Sequence, residues 1–551
     1  MHPEWNLRKK RQRGKRETAM DKTGKIGNAA IGNAAIGNPQ DAAPADPGAK
    51  RAAGPAGART DAGAKPAAGH AGSDSAIVHT ASDSAIGRAA AGTAAGRSRR
   101  GPAAGTHAGT GAPVRKLTLV SLTWPIFIEI ALNQLMGIVD TFMLSHYHEG
   151  AVAAVGASNQ ILMFFNLMFG FVAAGTTILV SRHLGAGNER EARGAAAASV
   201  SMNLLFGLMM SLVLFAGAET FLNLIGLPEE LMGFGKSYLT IIGSFVFLQA
   251  LMLTMSGAVK SYGFTRNVMV INLVMNALHV VLNGFFLYGW LGVPVLGVPG
   301  VAASTVASRA VGLAITVFVL LRVVGRLEWD DLIRPKKRHV TGLLKIGVPS
   351  AGENLSYNVS QLVITSFIAT LGVTAMVTRV YTLQIIFLIT LFSSSVAQGT
   401  QILVARMIGA KDFDGAYRRG LASLGICLLL TLLVAGVINL AGGVLLDLFT
   451  DDPDVLAMGR KLLLLAFLLE PGRAFNLVLN GSLRAAGDVN FPVIVGLICM
   501  WAFSVPMAWL LGLHWQFGLF GIFLSFILDE WTRGLIMLFR WRRKRWRLKT
   551  A

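Results

Sequence analysis

Lys116–Ser145 reads KLTLVSLTWPIFIEIALNQLMGIVDTFMLS, a stretch long and apolar enough to cross a bilayer that still carries Glu129, Asn133 and Asp140. At about 100° per residue, Asp140 falls within roughly 20° of Glu129 and Asn133 about 40° from it, so the three share one face of a helix. A carboxylate at membrane depth costs about 2.5 kcal/mol or more, so this stripe is expected to face a wet cavity or another polar helix and not lipid. The chemistry open to it is reversible binding of a proton or metal cation. A second stripe, Asn272, Asn276, His279 and Asn283, recurs at i, i+4, i+7 and i+11 within about 60° of helix surface. If its segment packs beside the first, Asp140 meets His279 and Asn283, a carboxylate with a neighbour that titrates near neutral pH. The competing reading is interhelical glue, worth about 0.6–2 kcal/mol per bond.

The elements that must position these residues follow from composition. Mean hydropathy is +0.54 and 15% of residues are charged, which fits a polytopic helical membrane protein and neither a soluble domain nor a β-barrel. Twelve apolar segments are expected between 117 and 540, the fourth at 235–261 and the fifth at 267–289. Loops rich in Lys and Arg alternate with loops such as HYHEG and FTDDPD that have none. Both termini are therefore expected in the cytoplasm of a multi-pass plasma-membrane protein. The net charge of +20 belongs to this pattern and to the first 116 residues, so no nucleic-acid partner is expected. Residues 1–113 read as a disordered low-complexity cytoplasmic tail, rich in Ala, Gly and Ser with the tandem IGNAAIGNAAIGN. Residues 114–325 and 341–540 read as two lobes, 326–340 as a cytoplasmic linker and 541–551 as a basic cytoplasmic tail.

The lobes repeat one another. GTTILVSRHLGA from Gly175 matches GTQILVARMIGA from Gly399, and the same offset of 224 pairs Pro125 with Pro349, Glu129 with Glu353, Gln160 with Gln384 and Lys260 with Arg484. Six segments per copy is an even number, so the copies run parallel and enclose a midplane cavity. The fold class is thus an all-α polytopic membrane protein, with twelve transmembrane helices in two pseudo-symmetric six-helix lobes. Candidate cavity residues are Glu353, Tyr357, Gln160, Gln384, Glu470 and Asn480; Glu470 and Arg473, three apart, form a structural pair as the plainer alternative. Glu129 and Glu353 read equally as gate or interlobe contacts.

Other features point away from catalysis. Asp330 and Asp331 beside RPKKR suit a solvated linker, and GAGNEREARG has no P-loop lysine. Cys427 and Cys499 lie inside apolar runs, which suits core packing. No catalytic set converges on one segment, so the chain is expected to be no enzyme and to carry no cofactor or structural metal.

The twelve segments in two repeats, Asp140, WPxxxE, the GTxxLVxRxxGA segments and GSLRAAGDVNFP together resemble the multidrug and toxic compound extrusion (MATE) family over about 115–540. The resemblance implies a cation-coupled antiporter, monomeric and surrounded by membrane lipid. It would export amphipathic, often cationic small molecules against inward H+ or Na+. It implies coupling roles for Asp140 and Asn133, counted from Pro125. Where the family often has Asn and Asp four residues apart in the fifth helix, this chain has His279 and Asn283. The family's deeper C-lobe acid falls on Tyr357, leaving Glu353. A flippase for a lipid-linked precursor is the alternative on a related two-lobe plan. It requires a cationic cavity lined by Arg379, Arg473 and Arg484.

Overall fold

The computed structural model describes residues 117–549, which are helical almost throughout. The expected tail 1–113 lies outside the described residues. The N-lobe comprises α1 (Leu119–Ser145), α2 (Glu149–Gly185), α3 (Glu189–Leu224), α4 (Glu229–Ser244), α5 (Val246–Ser261), α6 (Thr265–Tyr288) and α7 (Val298–Val323). After the short α8 (Trp329–Ile333), the C-lobe comprises α9 (Lys337–Thr370), α10 (Val373–Gly409), α11 (Phe413–Asp447) and α12 (Pro453–Ala485). It closes with α13 (Asn490–His514) and α14 (Gly518–Arg542).

Among the described residues, nine helices are long and apolar enough to span a membrane, and α4 with α5 supply a tenth span bent by 47°. The bend at Phe245 divides the segment expected at 235–261. The twelve-helix count is completed by α9 and α14, which fall short of the same test of apolarity. Their polarity has a cause: these two helices contribute Glu353, Asn354, Tyr357, Gln361, Asp529, Glu530 and Arg533 to the wall of an internal cavity. A span facing protein and water on one side need not be apolar there.

Packing repeats between the lobes. Helix α1 lies along α6, and the lobes meet where α10 crosses α1 and α2 while α9 crosses α2. At the end of the bundle that carries the basic loops, two backbone crossings mirror each other. A Cβ added to Gly185 would lie 1.9 Å from the Arg406 carbonyl oxygen, and one added to Gly409 would lie 1.9 Å from that of Arg182. Only glycine lets α2 and α10 come this close. Beside the crossing, Arg182 Nε donates to the Ala485 carbonyl at 2.9 Å, and Arg406 Nη2 donates to the Ser261 carbonyl at 2.6 Å. Each arginine therefore caps the C-terminal end of a helix in the other lobe, where free carbonyls and the helix dipole favour a cation.

The expected linker and the described part of the expected basic tail turn out to be packed. Asp331 is buried and pairs with Lys336 at 3.1 Å, so it is no solvated loop acid. The basic segment from 541 folds back as well, with Trp541 and Trp546 stacked 4.6 Å apart and both fully buried.

Candidate functional site

The contact of α1 with α6 brings three polar side chains together among apolar neighbours. Asp140 Oδ1 lies 2.8 Å from His279 Nε2 and accepts from Asn283 Nδ2 at 3.0 Å. His279 and Asn283 are buried, and the Asp140 side chain is 20% exposed. On the far side of the ring, Ser308 Oγ from α7 lies 3.4 Å from His279 Nδ1 while donating to the Thr305 carbonyl at 3.0 Å. A hydroxyl that has given its hydrogen to Thr305 can only accept from Nδ1–H. Nε2 is then the nitrogen that faces the carboxylate, and 2.8 Å between Nε2 and Oδ1 requires a proton between them; two bare acceptors would repel. The imidazole and the carboxylate are thus placed for a direct hydrogen bond.

The remaining members of the two stripes lie apart from this cluster. Asn276 donates to the Leu132 carbonyl of α1 at 3.3 Å and so stitches the helices together. Asn272 bonds its own helix at Val268. Asn133 is exposed and stands two helical turns, about 10 Å, from Asp140. Glu129 pairs with Lys260 of α5 at 3.0 Å. In the C-lobe Glu353 pairs with Arg484 of α12 at 2.6 Å and accepts from Asn480 at 3.2 Å. Both ion pairs bridge 131 residues of chain, so they are one contact in two copies, and each lies within its own lobe. The interlobe reading of Glu129 and Glu353 is corrected accordingly: the first helix of each lobe pairs with that lobe's fourth span. Removing one partner leaves a buried charge unpaired, so Arg484→Gln is expected to lower stability by about 3 kcal/mol. Glu353→Gln with Arg484→Gln should recover most of that loss, as read from melting temperatures in detergent.

A cavity of about 620 Å³ opens inside the C-lobe between α9, α10, α12 and α14. Glu353, Tyr357 and Asn480 line it, and Glu470 sits fully buried behind it, 2.5 Å from Arg473. Gln384 does not line it: on α10 it points about 120° away from the cavity-facing Thr390. Its N-lobe equivalent Gln160 is likewise exposed and outside the wall. Arg473 reaches Glu530 at 3.4 Å, Asn476 donates to Glu530 at 3.0 Å, and Arg533 reaches Asp529 at 2.6 Å. Asp529 and Glu530 escape a reading of the sequence based on repeats, because the offset of 224 sets them against Thr305 and Val306, while Arg533 falls on Arg309. The signal was present nonetheless, as three charges within five residues of an apolar span. Tyr238 and Arg309, also missed, lie within electrostatic range of Asp140.

Comparison with known proteins agrees with this architecture. The family profile described as MatE matches residues 125–285 and again 349–510, the same offset that separates the repeats. The uncharacterized transporter YisQ of Bacillus subtilis (strain 168) is 45% identical over 433 residues, covering 78% of this chain and 95% of its own length. The probable multidrug resistance protein NorM of Thermotoga maritima is 26% identical over 438 residues, covering 79% and 94%. Among solved structures, a MOP superfamily transporter from Pyrococcus furiosus, described as having a binding pocket of reverse polarity, aligns with a TM-score of 0.71 at 18% identity. That alignment covers 77% of this chain and 95% of the other. Twelve helices in two repeats, matched twice over by one family profile, make this chain a member of the MATE family of multidrug efflux transporters.

Proposed function

We propose that the protein is a proton-coupled antiporter of the plasma membrane that exports amphipathic organic cations. The observation carrying this reading is the 2.8 Å contact between Asp140 Oδ1 and His279 Nε2 on two apolar helices. Sodium suits this arrangement less well. The gap between Nε2 and Oδ1 is already closed by a hydrogen bond, the second carboxylate of the family pattern is missing, and an imidazole is a poor partner for a hard cation. The basic-loop end faces the cytoplasm in this reading, with both termini there. In the state with α2 and α10 crossed, the lobes are closed at that end. Proton uptake from outside alters the α1–α6 contact, and the lobes rock about the pseudo-axis. Exchange is obligatory because proton and substrate favour opposite states; a ligand shifts an equilibrium only through its differential affinity. The protein works as a monomer and needs no cofactor.

The C-lobe cavity supports a cationic substrate. Glu353, Asp529 and Glu530 of its wall match Arg473, Arg484 and Arg533 in number, and Glu470 behind the wall adds a fourth carboxyl group on Arg473. Every one of these arginines is held by a carboxylate. Arg379 lies outside the wall and donates to Thr365 at 2.6 Å. The flippase alternative needs unpaired arginines for a diphosphate, and this cavity offers none. Fluorescence titration of the purified protein separates the two: an aromatic organic cation is expected to bind and to resist displacement by a prenyl diphosphate. Displacement by the lipid would favour the flippase.

A further inference from the structure

A cluster far from both the α1–α6 contact and the C-lobe cavity is built for a different ligand. His183 stands in the last turn of α2, Glu191 in the first turn of α3 and His339 in the first turn of α9. One ligand atom from each lies within 4.8 Å of the other two. Glu191 Oε2 is 2.9 Å from His339 Nε2, and the two imidazole rings stand edge to face with centroids 6.0 Å apart. The His339 ring is 2% exposed, and its Nδ1 has no hydrogen-bond partner. His183 makes no side-chain hydrogen bond among the described residues, and its ring faces that of His339. Arg338 grips Glu191 Oε1 and leaves Oε2 turned toward the histidines, the kind of outer contact that orients a ligating carboxylate.

We propose that His183, Glu191 and His339 form a binding site for a borderline divalent transition metal, with Zn2+ the best fit. Two imidazole nitrogens and one carboxylate oxygen are a donor set that Zn2+ takes readily, with a fourth position left for water. Hard ions such as Mg2+ and Ca2+ need more oxygens than the cluster supplies. A tetrahedral ion with bonds of about 2.0–2.1 Å needs its ligands roughly 3.3 Å apart, so the three side chains, now within 4.8 Å of one another, would draw together on binding. Metal uptake replaces the contact between Glu191 Oε2 and His339 Nε2 with bonds to the ion. Because the ligands come from two N-lobe helix ends and the first helix of the C-lobe, a bound ion ties the start of α9 to the N-lobe.

The test is calorimetric titration of Zn2+ into the full-length, detergent-purified protein, with Co2+ as a spectroscopic stand-in and melting temperature followed in parallel. The wild type is expected to take up one ion per chain at this site, to melt higher with metal, and to show the visible bands of four-coordinate Co2+. His183→Asn is the informative variant, since this side chain has no hydrogen bond whose loss would unfold the protein. It should keep the metal-free melting temperature and weaken Zn2+ binding by about tenfold or more. His339→Asn should weaken binding at least as much. Absence of Zn2+ binding in the wild type overturns the proposal. So does binding of unchanged affinity in the His183→Asn, His339→Asn double variant, because the ion would then sit elsewhere, for instance on His70 or His79.

Discussion

Asn in place of Asp140 should abolish ion-driven efflux while leaving the protein folded in the membrane. The substitution keeps the shape of the side chain and its hydrogen bond with Asn283, but an amide cannot exchange a proton with His279 at 2.8 Å. Without a group whose affinity for the ion differs between states, the gradient has nothing to act on. The rate of gradient-driven export is expected to fall by more than tenfold, equivalent to losing at least about 1.4 kcal/mol of coupling. The measurement is dye efflux from cells expressing equal amounts of each variant, with the membrane-bound amount checked by immunoblot. His279→Gln tests the same pair from the other side and should leave transport weak and less sensitive to pH, because Gln does not titrate. Full efflux by Asp140→Asn would remove this carboxylate from the mechanism.

The second large effect is expected where the lobes cross. Leu at position 185 would drive a side chain into the Arg406 backbone, where even a bare Cβ would stand 1.9 Å from the carbonyl oxygen. A backbone neighbour cannot rotate out of the way as a side-chain tip can. Overpacking of this kind costs about 1–3 kcal/mol or more, and the strain is relieved only if α2 and α10 separate. Separation also breaks the Arg406 bond to Ser261, so the closed arrangement should lose population by about tenfold or more. A cysteine at Ser261, buried at that junction, reports the change. Its labelling by a maleimide should speed up in Gly185→Leu, and efflux should drop. Gly409→Leu, the mirror position, should do the same. Equal labelling and undiminished efflux in both variants would show that the crossing carries no part of the closure.

Some of this was legible before any coordinates. Apolar length set the spans, and the bilayer's intolerance of charge turned the period of Asp140, His279 and Asn283 into a statement about which helix faces meet. The constant offset marked Glu129 with Glu353 and Lys260 with Arg484 as equivalents, yet not as bonded to each other, because an offset relates copies and says nothing about contacts within a copy. Asn133 shows the limit of a helical wheel: it shares Asp140's face but stands two turns along the axis. The C-lobe network was harder still. Arg473 and Glu530 are 57 residues apart, and no repeat places Glu530 in the first lobe. The bend at Phe245 has no proline to announce it, only the pair Gly243–Ser244 just before it. Gly185 and Gly409 look like ordinary turn residues until the lobes are docked.

In the proposed mechanism a proton gradient, acting through Asp140 and His279, drives substrate out against its own gradient. Proteoliposomes holding the purified protein and loaded with a fluorescent organic cation test it directly, with proton and sodium gradients imposed separately. Dye is expected to move across the membrane when a proton gradient is applied in the opposite direction, at equal sodium on both sides, with protons exchanged for it in a fixed ratio. Dye movement that follows a sodium gradient at constant pH, or that ignores both gradients, would contradict it.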